Sequence, residues 1–187
     1  SHMYPARQQK NDERRLGDLV AENEELKAEL EKPEAEKVGA TGEWRRRLRS
    51  LSYIVPNTMT AETGTNQTGH ESRRCLDNTG PRCFLVIEFD RQTQDRQAAL
   101  LWHLQRKFLP LVLAVLSGGK SLHGWFCVDG INEETLHKFM RTAVSLGADP
   151  ATWVRCQMVR MPDGLRYGDE NKPVRQRVIF FNPEALQ

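Results

Sequence analysis

The chain has 187 residues, 39% hydrophobic and 28% charged, with mean hydropathy −0.62, which suits one domain plus a solvated portion outside its core. No apolar run approaches the ~20 residues of a membrane span and the first residues lack a signal-peptide core, which excludes membrane-spanning and secreted classes and points to the cytoplasm. Residues 1–50 carry 11 basic and 11 acidic residues and residues 51–187 carry 16 and 14, too even a balance for wholesale coating of duplex DNA but compatible with a local phosphate track.

Ser1-His2-Met3 reads as the scar of a cleaved purification tag and is set aside. Residues 4–43 form a separate region. Leu16, Leu19, Asn23, Leu26 and Leu30 fall on alternating three- and four-residue steps, the seam of a coiled coil. A buried Asn23 amide favours two parallel strands in register, and Glu22 and Lys27 are placed to pair between helices. Pro33 ends the helix. Two heptads are marginal alone, so the expectation is a weak homodimer through residues 16–32, followed by a linker over 33–43.

The domain proper is expected over residues 44–187. Trp44–Ser52 is basic, either its first helix or a nucleic-acid contact. Pro56–Pro81 lacks periodicity and reads as a functional loop. Phe84–Phe89 has the composition of a buried strand. Gln94–Phe108 has helical spacing through Ala98, Leu101, Leu104 and Phe108. Leu109–Ser117 is expected as a second strand, Gly118-Gly119 as its turn, and Ser121–Val128 as a third strand. Asn132 can cap a helix with Leu136, Phe139, Met140 and Ala143 in one stripe, closed by Gly147. Cys156–Met161 and Val174–Phe181 are expected as the fourth and fifth strands. Helices alternating with hairpins indicate an α+β sheet.

Several side chains in this frame can carry chemistry. Glu88 and Asp90, two apart in a strand, share a face, while Leu85, Ile87 and Phe89 take the opposite, core face. Adjacent carboxylates repel unless a cation lies between them, and hard cations prefer oxygen ligands. Solvated acids at a strand end give the same pattern. Lys120, Ser121 and His123 present ammonium, hydroxyl and imidazole from one hairpin beside turn N–H groups, which is phosphate-binding chemistry without a helix. This is not a P-loop, because Ala114 stands where its first glycine belongs. Asp149-Pro150 reads locally as the cap of a short helix, and Arg160 as a phosphate ligand or an edge-strand arginine. The four cysteines read as reduced thiols, and His70, Cys75 and Cys83 have no structural zinc spacing.

These segments together resemble the archaeo-eukaryotic primase superfamily, in particular the compact primase and primase-polymerase domains of plasmids, phages and mobile elements. Ile87-Glu88-Phe89-Asp90 resembles its acid-x-acid motif, Ser121-Leu122-His123 its Ser-x-His motif, and Ala148-Asp149 its third motif. Arg160-Met161-Pro162 resembles the Arg-x-Pro-Gly segment that follows. The likeness covers residues 50–187 and does not extend to the coiled coil. Glu88 stands where many relatives have Asp, and Asp163-Gly164 where Gly-Thr is more usual.

The resemblance implies an RRM-like antiparallel sheet with flanking helices and a template-directed nucleotidyl transfer. It implies two Mg²⁺ or Mn²⁺ ions held by Glu88, Asp90 and Asp149, with Lys120, Ser121, His123 and Arg160 holding an NTP or dNTP. Single-stranded DNA template and a replicative helicase, in cis or in trans, are the implied partners. A non-catalytic binding module on the same fold is the main alternative. A rolling-circle nuclease fits less well, because His123 lacks a paired histidine and Tyr4, Tyr53 and Tyr167 have no helical metal context.

Overall fold

The computed structural model describes residue 43, residues 46–167 and residues 172–186. The expected coiled coil and its dimer lie outside the described residues, as do Trp44 and Arg45 of the basic segment. Residues 47–50 of that segment are helical and exposed.

Three short strands come first: β1 (Tyr53–Ile54), β2 (Gly64–Thr65) and β3 (Glu71–Ser72). Then follow β4 (Phe84–Phe89), α1 (Gln94–Lys107), β5 (Leu111–Leu116), β6 (Leu122–Cys127) and α2 (Glu133–Ser145). A 3₁₀ turn (Pro150–Trp153) leads to β7 (Val159–Arg160), β8 (Leu165–Tyr167), β9 (Pro173–Arg175) and β10 (Arg177–Phe181). The main sheet has the order β10-β5-β6-β4 with every neighbouring pair antiparallel. The fold is α+β, and among the described residues no helix is long and apolar enough to cross a membrane.

The two faces of the sheet are both used, for different purposes. Leu85, Ile87 and Phe89 of β4 join Leu122 and Phe126 of β6 in one core with Leu101 and Leu104 of α1 and Phe139 of α2. Gly124 permits this contact, because a Cβ there would meet Leu101 Cδ2 at 2.5 Å. The opposite face carries Val86, Val115 and Trp125, covered by Val159 of β7 and Ile54 of β1. Thr93 and Asn132 cap α1 and α2, their side chains accepting from the N–H groups of Arg96 and Thr135. Gly147 takes the left-handed conformation (φ +101°) just beyond α2.

Four expectations are corrected. Cys156–Met161 is not a strand of the main sheet. A turn in which the Gln157 N–H donates to the Val154 carbonyl occupies its start, and only Val159–Arg160 pairs, with β1. Val174–Phe181 is two strands, because the buried Gln176 between them gives its N–H to Gly164 O and its Nε2 to Ser52 O. On α1 the buried stripe runs through Gln97, Leu100, Leu101 and Leu104, leaving Ala98 exposed and Phe108 as the cap. The Pro56–Pro81 segment is packed, with Asn57, Cys75, Asn78 and Thr79 buried within it. There the Asn57 amide oxygen accepts from the N–H groups of Cys83 and Phe84 and so fixes the start of β4.

Candidate active site

Strand register builds the site. Glu88 lies directly opposite His123 on β6, and Val115 of β5 flanks His123 on its other side. All three project from the sheet face away from the helices. The Glu88 Oε1 atom stands 3.5 Å from His123 Nε2. The Ser121 hydroxyl lies 2.8 Å from the Ser117 hydroxyl and 3.3 Å from His123 Nε2, and it favours the charged form of Glu88. Asp90, one residue beyond β4, meets Lys120 Nζ at 3.5 Å and Arg91 Nε at 4.0 Å.

Burial dominates the electrostatics. It raises the pKa of Glu88 above the usual carboxylate range, and the negative charges of Asp149 and Asp90 push it the same way. The Ser121 hydrogen bond and the positive charge of Arg160 act in the opposite direction. His123, only 2% exposed, has its pKa lowered to about 4 by burial and then by Arg160. At neutral pH it is therefore a neutral imidazole, and its contact with Glu88 is not an ion pair. Its Nδ1 atom is buried without a hydrogen-bond partner among the described residues.

The other sequence-derived residues reach this region from separate elements. Asp149 caps the 3₁₀ turn, its Oδ1 accepting from the Ala151 N–H at 2.9 Å, while its own N–H donates to the Glu88 carbonyl at 2.9 Å. Asp90 and Asp149 line one cleft of about 400 Å³, with Arg91, Gly147, Ala148 and Pro150. Arg160 stacks its guanidinium over Tyr53, 4.4 Å from the ring centroid, and its charge is felt by both Glu88 and His123. Of the three hairpin groups read from the sequence as phosphate-binding, Ser121 and His123 are buried, and Lys120 is exposed and paired with Asp90.

Carboxylate oxygens suit a hard divalent cation, and the repulsion that Asp90 and Asp149 impose on Glu88 is what such a cation relieves. The donor set of Glu88, Asp90 and Asp149 therefore fits Mg²⁺ or Mn²⁺ in chemistry. The side chains are not gathered for it. Among the described residues no three His, Cys, Asp or Glu side chains converge on a metal position. Asp90 is turned to Lys120 and Asp149 to its cap. The described cysteines are free thiols, and the Cys75 thiol donates to Asn78 Oδ1.

Three residues of this neighbourhood escape the sequence motifs. Ser117 is fully buried against Ser121. Arg166 of β8 reaches over the hairpin turn, so close that a Cβ on Gly119 would lie 2.5 Å from its Nη1. Gln97 donates from α1 to the hairpin, and its one sequence signal is a polar residue on an otherwise apolar stripe. No protein-family model matches the chain, and no curated protein or solved structure matches it significantly.

Proposed function

We propose that the chain is a template-directed nucleotidyltransferase, a primase or primase-polymerase of the archaeo-eukaryotic primase type, working in replication of a bacterial or mobile element. One observation supports this above the others. Three segments far apart in sequence meet at the end of β4, where Glu88 faces His123 and the Asp149 amide binds the Glu88 carbonyl. In the main sheet β4 and β5 run parallel on either side of β6 and are joined through α1, a split β-α-β crossover of the kind the RRM-like reading calls for, while β10 lies beside β5 and leaves β4 at the edge.

Divalent ions held by Glu88, Asp90 and Asp149 would supply activation of a primer 3′-hydroxyl and neutralisation of the leaving pyrophosphate. The protein groups have separate tasks. Lys120, 76% exposed, is free to leave Asp90 for a phosphate oxygen. Arg160 adds a fixed positive charge, and its stacking on Tyr53 limits where that charge can go. Ser121 orients the Glu88 carboxylate through its hydroxyl. His123, buried and neutral, positions its neighbours by hydrogen bonding rather than by charge. Single-stranded DNA would supply the template, and a helicase in cis or in trans would expose it.

The test is primer synthesis by the full chain on single-stranded DNA with NTPs or dNTPs and Mg²⁺ or Mn²⁺. A second reading, a binding module without catalysis, is favoured by the dispersed carboxylates, none of which completes a three-ligand cluster among the described residues. Binding of DNA or nucleotide without incorporation, even on a primed template, would establish that second reading.

A further inference from the structure

Gln97 occupies a position on α1 where helical periodicity calls for an apolar side chain, and it is fully buried. Its Nε2 donates to two carbonyls, Gln92 O at 2.7 Å and Lys120 O at 3.0 Å. Gln92 lies two residues after Asp90, and Lys120 immediately precedes Ser121. One buried amide thus joins the loop after the first acidic motif to the turn before the Ser-x-His segment. One helical turn earlier, Gln94 Nε2 reaches Gly119 O at 3.5 Å. An apolar residue at 97 would leave two main-chain carbonyls without their donor; the amide supplies both, while its own Oε1 stays buried with no hydrogen-bond partner among the described residues.

Those bonds also set the direction of the peptides. The peptides of the turn are trans, as are all those between described residues, so a carbonyl drawn toward α1 turns the N–H of the same planar unit away from it. The two units concerned carry the N–H groups of Lys120 and Ser121. Neither N–H has an acceptor among the described residues. Adjacent free N–H groups beside an ammonium are anion-binding chemistry.

We propose that Gln97, assisted by Gln94, is a positioning residue that holds the Gly119–Ser121 turn so that the Lys120 and Ser121 N–H groups face the phosphate oxygens of a nucleotide. The identity of the anion rests on the nucleotidyltransferase reading; the orientation of the turn does not. Gln97 acts through the peptides it holds and does not itself touch substrate.

The experiment titrates the ¹⁵N-labelled full chain with inorganic tripolyphosphate and follows the Lys120 and Ser121 amide resonances. Both are expected to shift saturably in the wild type. Gln97→Met, which keeps length and packing, should weaken that binding about tenfold. Leu100→Ala, a comparable loss on the same helix face, should leave it within about twofold, because a cavity there perturbs stability rather than the turn. Gln94→Ala, at an exposed position, should weaken it about threefold, and it keeps the test open if Gln97→Met does not fold. In primer extension, Gln97→Met should raise the nucleotide KM far more than it lowers kcat. The proposal is overturned if the wild-type amides do not respond, if Leu100→Ala loses as much affinity as Gln97→Met, or if both glutamine variants bind like wild type. Responding amides in a protein that incorporates nothing would remove the polymerase reading and support the anion site.

Discussion

The main-chain N–H of Asp149 donates to the Glu88 carbonyl at 2.9 Å, and the Asp149 side chain caps the turn that follows through the Ala151 N–H. One residue thus covers an open edge position of β4 and starts a 3₁₀ turn while keeping a carboxylate near the first acidic pair. The cap and the charge can be separated. Asparagine caps about as well as aspartate, so Asp149→Asn should change unfolding free energy by less than about 0.5 kcal/mol, whereas Asp149→Ala should cost about 1 kcal/mol. Both should lose primer synthesis. Urea unfolding beside an extension assay distinguishes the two roles.

Acid should weaken the fold through His123. An unfolded histidine binds its proton below about 6.5, but the buried His123 does so only near 4. Its contribution is therefore complete above pH 6.5 and lost as pH falls from 6.5 to 4, by up to about 3 kcal/mol. Glu88 works in the opposite sense: with its pKa raised in the folded state, its contribution is present at low pH and fades as pH rises through that value. The difference between wild type and His123→Gln isolates the imidazole. Between pH 7 and pH 4.5 the variant should lose less stability than the wild type, and parallel curves would contradict the assignment.

Gly124 is the contact point between β6 and α1. Ala at this position forces its methyl against Leu101, so Gly124→Ala should destabilise by about 1–3 kcal/mol. Combining it with Leu101→Ala should recover part of that loss, giving a double variant less unstable than the sum of the singles. Denaturant midpoints at constant slope measure this.

Much of the central sheet was legible in the sequence, and the reason is local. The alternation in β4 assigns Leu85, Ile87 and Phe89 to the core face, where they lie. The α2 stripe and its Asn132 cap are likewise local signals. What sequence could not convey is long-range pairing. The same alternation put Ser121 and His123 on one side of the hairpin but could not reveal that β1 and β7 cover that face. Gln176 looked like the middle of a strand, because its two acceptors, Ser52 and Gly164, are distant or irregular segments. Helical patterning weighs hydrophobicity and so favours Ala98, whereas the buried position is that of Gln97, whose amide donates two hydrogen bonds.

Residues 16–32 carry the seam of Leu16, Leu19, Asn23, Leu26 and Leu30. Sedimentation at rising concentration should show weak self-association of the full chain. A shortened chain beginning at Gly42 should stay monomeric across the same range. Equal behaviour of the two would remove the dimer from the account.

The most direct measurement compares wild type with Asp90→Asn in nucleotide incorporation on a primed single-stranded template, with DNA affinity measured in parallel in Mg²⁺ and in Mn²⁺. The substitution removes one carboxylate of the proposed cation donor set and the partner of Lys120, but no buried packing. The wild type should incorporate nucleotide, and Asp90→Asn should lose incorporation by at least about a hundredfold with DNA affinity unchanged or slightly higher. A wild type that binds template and nucleotide yet incorporates nothing with either metal, or an Asp90→Asn variant as active as wild type, would contradict the nucleotidyltransferase reading.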